Sequence, residues 1–556
     1  MKSTMSSTSI NSNNTNSRKE SIMKKALKWI GIAAVSILAL GIVGYVALYI
    51  YDPGISWAKP GIPPAKIPAG VDTSVVFENV TVIPMDSERV LEEQTVLIED
   101  QRITHIGTSA EIEIPADAHV VDGSGKFLIP GLSDMIVHTN GSENDLLVYL
   151  ANGVTTIRIM GQDPSSILKW RDQIRAGTRV GPNMWVWWPQ FENNEWDDEA
   201  GMERSTRGGM IYLHTPEEAE QLVAKMAALG VDGIKAHGVV SSEIYLAILE
   251  SATRHGLPFD GHAPEDHTFS SVFETRSDAW NDFRTMGVPA LTHVEELVKM
   301  VELSDENTRQ ASDEHIRQIA QDAADDGLWV TTTIFLFRSI ADQAADLEGM
   351  LAGMPELKYV HPGVFDGMKW GPDASGANWY TELGSRPWYP NYLGAQEKML
   401  LALNESGVQL MSGTDVPMAV IVPGFSLHDE LETMTDIGLS PYDVLKTSTH
   451  NPALYLGELE EFGTVEVGKR ADLVLLEGNP LEDIANTRQI AGTMVRGRWY
   501  ARADLDRILE MVAQDYESVK IKQTIVKIAF PIVVVLLLVA VVWFIVRRVR
   551  RRKASQ

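Results

Sequence analysis

Between Pro130-Gly131 and about residue 412 the sequence keeps one rhythm: a short apolar strand, a loop, then an amphipathic helix. Alternating units of this kind commit a chain to parallel strands covered by helices. One unit shows the boundary signals well. Thr215-Pro216-Glu217-Glu218 reads as a capping box with proline at the first helical position, the helix stops at Gly230, and the strand VDGIKA follows. A second helix after Ser241-Ser242 stops at Gly256, before the strand LPFDG. Strands are expected near 132–137, 154–159, 183–188, 231–236, 257–261, 290–293, 328–334 and 408–412. Eight such strands suggest an α/β fold closed as a (β/α)8 TIM-like barrel, here residues 129–458.

The flanks read differently. In 73–128, β-rich segments (SVVFENVTVI, QTVLIEDQRITHIG, AHVVDGSGKFLI) are separated by turn residues, as in a small antiparallel sheet. Residues 459–500 return to that style and are expected to join 73–128 in one small β-sandwich. The stretch 340–392, rich in Gly, Pro and aromatics, is too long for an ordinary connection and reads as a functional insertion after the seventh strand. Leu505, Ile508, Leu509 and Val512 stand at helical spacing, so 503–527 is expected to be an amphipathic helix.

The two ends carry long apolar runs, Trp29–Tyr51 and Ile528–Val546, each of a length that crosses a bilayer as a helix. Both runs are flanked by basic clusters, in residues 1–28 and 547–556. The positive-inside tendency then places both termini in the cytoplasm, makes the protein a two-pass membrane protein and puts its body on the far side, with the lipid bilayer as a partner. A cleaved signal peptide has a shorter apolar region than Trp29–Tyr51, so an anchor is the expected reading. Residues 1–17, rich in Ser, Thr and Asn, read as a disordered tail.

The formal net charge is −27, and the acidic body repels nucleic acid, which is excluded as a partner. There is no cysteine, which excludes a disulfide scaffold, a cysteine-ligated metal and a thiol nucleophile. A metal must therefore sit on His, Asp, Glu or Lys. In barrel enzymes the chemistry lies at the C-terminal ends of the strands. His138, Lys235, His262, His293 and Asp415 all fall there. A lone His is more often a solvated or packed residue than a ligand. Three of the 13 His beyond three different strands, with a Lys and an Asp likewise placed, form a sharper coincidence. Imidazole and carboxylate suit zinc or a similar divalent ion.

The segments FLIPGLSDMIVH, LLVYLANGVTTIR, DGIKAHG, LPFDGHAP, ALTHVEEL, MSGTDVP and STHNPALYLG…GTVEVGKRADLVLL resemble the amidohydrolase superfamily, in the branch similar to imidazolonepropionase and prolidases. The resemblance covers about residues 73–500 and implies a β-sandwich beside a (β/α)8 barrel with one or two metal ions. It places Lys235 where relatives have a lysine that is often carboxylated to bridge two metals. It makes His262 and His293 ligands of one metal, and His138 and Asp415 ligands of the other, with Asp415 also the general base. The family's first strand usually ends in His-x-His, and here that stretch is Ile136-Val137-His138, so one ligand is replaced. His237 stands where many relatives carry Tyr and either polarises a substrate carbonyl or packs. His428 resembles a family His or is a plain helix-surface residue. The segment WVWWPQFENNEW either walls a substrate pocket or is aromatic packing. The implied activity is hydrolysis of a small amide or dipeptide-like substrate by water that a divalent metal has made acidic. The alternative is a membrane sensor or scaffold whose metal site decayed at Ile136. An oligomer is compatible with either.

Overall fold

The structure is a computed structural model that describes residues 61–553, apart from 140–141, 162–163, 193–209, 214, 238–240, 265–278, 306–307, 368–378 and 419. The chain divides into two compact units, Ala58–Glu517 and a second made of Met1–Trp57 with Ser518–Gln556. The description below concerns the first.

Eight strands alternate with helices and pair only in parallel among themselves. Leu132–Val137, Val154–Met160, Asn183–Glu192, Gly233–Ala236 and Phe259–Gly261 form one sheet, with Met210–Tyr212 added beside Asn183–Glu192. Ala290–Thr292, Trp329–Thr331 and Gln409–Met411 form another. The strands stand at the positions read from the sequence, but they do not make one continuous ladder. On one side the two sheets are joined by backbone bonds just past the strand ends: Met135 N–H to Ser412 O (3.0 Å), Asp415 N–H to Ile136 O (2.9 Å) and His138 N–H to Val416 O (2.6 Å). On the other side a side-chain bond spans the seam, from the Thr292 hydroxyl to Asp260 (3.0 Å).

The helices follow their local signals. Thr215 accepts from the Glu218 N–H, Pro216 opens the helix Pro216–Leu229, and Gly230 closes it at φ 78°. Ala219, Val223 and Met226 are its buried face. A side-chain cap of this kind is worth about 1 kcal/mol. The stretch 340–392 is largely helical where it is described, with Ile334–Ala352, Pro362–Gly367 and Trp379–Gly384 as α-helices.

The two flanking segments are interleaved in one eight-stranded sheet rather than in two facing ones. Its order is Arg498–Ala501, Ile490–Val495, Leu473–Leu476, Phe127–Pro130, Val75–Val82, Leu91–Glu99 and Arg102–Gly107, with His119–Asp122 also on Val75–Val82. Early and late segments meet where Leu473–Leu476 runs antiparallel to Phe127–Pro130, with Leu473 opposite Pro130 and Leu476 opposite Phe127. Alternate residues (Val75, Phe77, Leu473, Leu475 and Trp499 among them) share one apolar core.

Among the described residues no helix is long and apolar enough to cross a membrane. This corrects the expected fold class, which ended in two transmembrane helices, and with it the two-pass placement and the bilayer as a partner. Residues 1–28 and the run 29–51 lie outside the described residues. The run 528–546 is not an element of its own. It belongs to a single helix, Arg502–Lys553, whose first turns are charged and amphipathic. Those turns bury Leu505, Ile508, Leu509, Val512 and Tyr516, so amphipathic packing sets where the helix starts and the apolar run continues it.

Tyr516 bonds Ser142 (2.6 Å) and donates to Asp145 (3.2 Å), tying this helix to the start of the helix Glu143–Ala151. Burial pushes the Asp145 carboxyl up to about 8, against the lowering effect of those hydroxyls. A carboxyl whose pKa is raised in the fold stabilises it fully below the unfolded value near 4, and that contribution is lost as pH rises towards 8. The parent is therefore expected to lose stability relative to Asp145→Asn over pH 4–8, by on the order of 5 kcal/mol. Paired urea melts across that range measure it, and parallel curves would contradict it.

Candidate active site

Because the eight strands are parallel, their C-terminal ends share one face, and that face collects the residues singled out from sequence. His138 follows Leu132–Val137, Lys235 lies in Gly233–Ala236 with His237 next to it, His262 follows Phe259–Gly261, His293 follows Ala290–Thr292, and Asp415 lies four residues past Gln409–Met411. His138 Nε2 is 3.1 Å from Asp415 Oδ1. The rings of His237, His262 and His293 form a chain, with centroids 4.5 Å apart for the first pair and 4.8 Å for the second. Lys235 is buried and acts electrostatically on His138, His262, His293 and Asp415 alike. The structure thus brings all six residues together.

Two of them hold strained backbone. His293 has φ 75° and Asp415 has φ 58°, in the left-handed region. Such a conformation costs a non-glycine residue about 1–3 kcal/mol and persists where surrounding bonds over-determine it. Here the His293 N–H donates to Thr331 O (2.9 Å) and the Asp415 N–H to Ile136 O (2.9 Å).

Electrostatics sets the charge states. Burial would raise the Asp415 carboxyl, but the His138 hydrogen bond and the nearby His293 and Lys235 outweigh it and hold it well below the usual carboxylate range. Burial dominates at the imidazoles. It lowers His138 and His262, the latter helped by His237, Lys235 and Lys299, and it brings His293 to about 3. These rings are therefore neutral near pH 7, the form in which imidazole binds a metal. His262 Nδ1 lies 2.8 Å from Glu296 Oε1, and His293 Nδ1 lies 2.7 Å from the Thr333 hydroxyl. These contacts engage Nδ1 of each ring and leave Nε2 as the nitrogen that could meet a metal, as outer-shell partners do in metal sites. In donor chemistry the residues fit a divalent ion. Yet among the described residues no group of three or more His, Asp or Glu is arranged as a metal cage. The donors stand as two pairs, His138 with Asp415 and His262 with His293, and a cage needs Lys235 as a further donor.

Ile136 explains part of that shortfall. Its side chain offers no donor and is fully buried against Met160 and Trp187. His428 is neither on the helix surface nor in the site. It is buried, with Nδ1 2.9 Å from the Thr487 hydroxyl and Nε2 3.1 Å from Asn152 O. Trp185 packs on Phe462 and Trp187 on Tyr455, while residues 193–196 of the aromatic segment lie outside the described residues.

Sequence reasoning missed the supporting acids. Glu296 receives His262, the Ala263 N–H (3.2 Å) and Lys299 Nζ (2.8 Å) at once. Its signal was an acid three residues after a strand-end His. Arg158 and Asp260 were also missed. They pair at 2.6 Å inside the barrel, and the signal was a charge in the apolar strand Val154–Met160.

Comparison with known proteins supports the same fold. Residues 392–500 match the profile of the Amidohydrolase family. A 5-methylthioadenosine/S-adenosylhomocysteine deaminase from Carboxydothermus hydrogenoformans is 25% identical over 161 residues, 27% of this chain and 36% of that enzyme. The chain thus spans about a third of that relative's length in the match. The crystal structure of a putative prolidase from Bifidobacterium longum is similar with a TM-score of 0.55 at 24% identity, over 80% of this chain and 99% of that one. A Xaa-Pro dipeptidase structure with bound methionine in its active site is similar with a TM-score of 0.56 at 17% identity, over 77% of this chain and 100% of that one.

Proposed function

We propose that the chain is an amidohydrolase-family hydrolase of carbon–nitrogen bonds, and that it cleaves the amide of a small dipeptide-like substrate at the face carrying His138, Lys235, His237, His262, His293 and Asp415. The observation that carries this reading is the buried Asp415 beside His138, set against two neutral imidazoles whose Nδ1 atoms are already engaged. The similarity to prolidase structures favours the dipeptide-like substrate.

His262, His293, Lys235, His138 and Asp415 would hold a divalent ion, zinc by their donor chemistry, with Lys235 deprotonated or carboxylated. Such an ion supplies positive charge that acidifies water and polarises a carbonyl. The other roles belong to the chain. Asp415 is ionised at neutral pH, so it accepts the proton of the attacking water and hands it to the leaving nitrogen. His138 holds that carboxylate in place. His237, its ring tilted against that of His262, faces the same centre and orients the scissile carbonyl. Glu296 and Thr333 keep the two ligand rings from turning.

The test is turnover of Xaa-Pro dipeptides and N-acyl amino acids by the purified chain. Activity should vanish with a chelator and return with zinc, and metal analysis should find about one tightly held ion per chain. Inertness towards these substrates after zinc loading would reject the reading. One observation favours the scaffold alternative, the apolar packing of Ile136. Ile136→His separates the two. In a working enzyme it should raise bound zinc above the parent's content while the parent is already active. An inert parent made active by Ile136→His would mark a decayed site.

A further inference from the structure

A cavity of about 140 Å³ lies at the other end of the barrel strands. Its wall is the loop between the helix Pro164–Arg175 and the strand Asn183–Glu192 on one side, and the hairpin of Ile490–Val495 and Arg498–Ala501 on the other. Arg175, Arg179, Arg496 and Arg498 line it, and no acidic residue does. In a chain of net charge −27, four guanidinium groups around one small space are out of keeping with the surroundings.

Three of the four are balanced from outside the cavity: Arg175 by Asp232 (3.2 Å), Arg179 by Glu143 (2.7 Å) and Arg498 by Asp72 (3.3 Å). Arg496 is not. Its guanidinium meets neutral acceptors, Asn183 Oδ1 (3.3 Å) and Arg175 O (3.5 Å), and among the described residues no carboxylate pairs with it. Asp472 takes its backbone N–H instead (2.7 Å). Burial, with Arg470 and Arg175 nearby, makes its positive charge harder to hold, and Asp472 offsets only part of that.

The backbone adds a second observation. Arg496-Gly497 is the two-residue turn of the hairpin, with φ 49° and 72°. Glycine is required at the second position, where a Cβ would come within 2.4 Å of Gln101 Cα. Asn or Asp is the usual first residue of such a turn, and arginine there accepts about 1–2 kcal/mol of strain. A strained residue whose charged side chain lines a cavity points to a ligand.

We infer that this cavity binds a small phosphate-bearing anion, at a site separate from the hydrolytic face. Forked guanidinium groups match phosphate oxygens in geometry and charge. The cavity volume admits an inorganic phosphate or the head of a phosphomonoester.

The experiment is calorimetric titration of the full-length chain with inorganic phosphate and with glycerol 3-phosphate, alongside thermal melts in sodium phosphate and in sodium chloride of equal ionic strength. Phosphate should raise the melting temperature above the chloride control. R496Q should weaken binding about tenfold or more, the worth of one charge-assisted contact. R498Q gives the same test if R496Q does not fold, since its partner Asp72 is at the surface. Tighter binding of glycerol 3-phosphate would assign the site to phosphomonoesters, and tighter binding of phosphate to the free ion. Equal melts in phosphate and chloride, or unchanged affinity in both variants, would overturn the inference and leave the arginines as a bond between sheet and barrel.

Discussion

Asp415→Asn is expected to slow hydrolysis by about 10²–10⁴-fold, the usual worth of a positioned general acid–base. The change should leave the fold intact. Asp415 sits at φ 58°, and asparagine is among the residues that best tolerate that region. Its amide oxygen still accepts from His138, so the loop keeps its bond. What disappears is the negative charge that takes the proton. The measurement is kcat on a substrate that the parent turns over, with melting temperature as the fold control. Equal rates in parent and variant would remove Asp415 from the mechanism.

Arg158→Ala should have the largest effect on stability, about 3–5 kcal/mol, the cost of stripping one partner from a buried ion pair. Arg158 is fully buried, donates to Met135 O (2.6 Å), Asp260 (2.6 Å) and Thr331 (3.1 Å), and lies 5.2 Å from the ring centroids of both Trp187 and Tyr455. Without it, Asp260 keeps a charge inside the barrel with two neutral donors, Thr292 and the Gly261 N–H. Replacing both Arg158 and Asp260 by apolar residues should recover much of the loss, because no lone charge then remains. Urea unfolding of the two variants measures this. A loss below about 1 kcal/mol in Arg158→Ala would mean that water reaches the pair.

The eight strand positions were legible because buried parallel strands are short apolar runs set between capped helices, and local signals such as Thr215 and Gly230 mark those boundaries. The strand-end residues were legible for the same reason, since a register that fixes a strand end also fixes which side chain emerges there. What sequence periodicity cannot carry is pairing across long separations. It did not show that the sheet would break between Phe259–Gly261 and Ala290–Thr292, where Asp260 and Thr292 meet through side chains. It did not show Glu296 turning back to His262, because the two lie 34 residues apart. The C-terminal run was misread as an element of its own because hydropathy scores a window, while the helix Arg502–Lys553 is set by the amphipathic turns before that window.

The interleaved sheet has a consequence for how the chain is made. Phe127–Pro130 can pair at once with Val75–Val82 on one edge, but its other edge pairs with Leu473–Leu476 and waits for the whole barrel to be synthesised. At 5–20 residues per second that wait is about 20–70 s. Throughout it, Phe127–Pro130 presents an open apolar edge, the kind of surface that invites aggregation or a chaperone. Val75–Val82 and Leu91–Glu99 can zip at once, being neighbours in sequence. The last strands to leave the ribosome therefore complete the first sheet to begin, and a ribosome that stalls inside the barrel leaves that sheet unfinished.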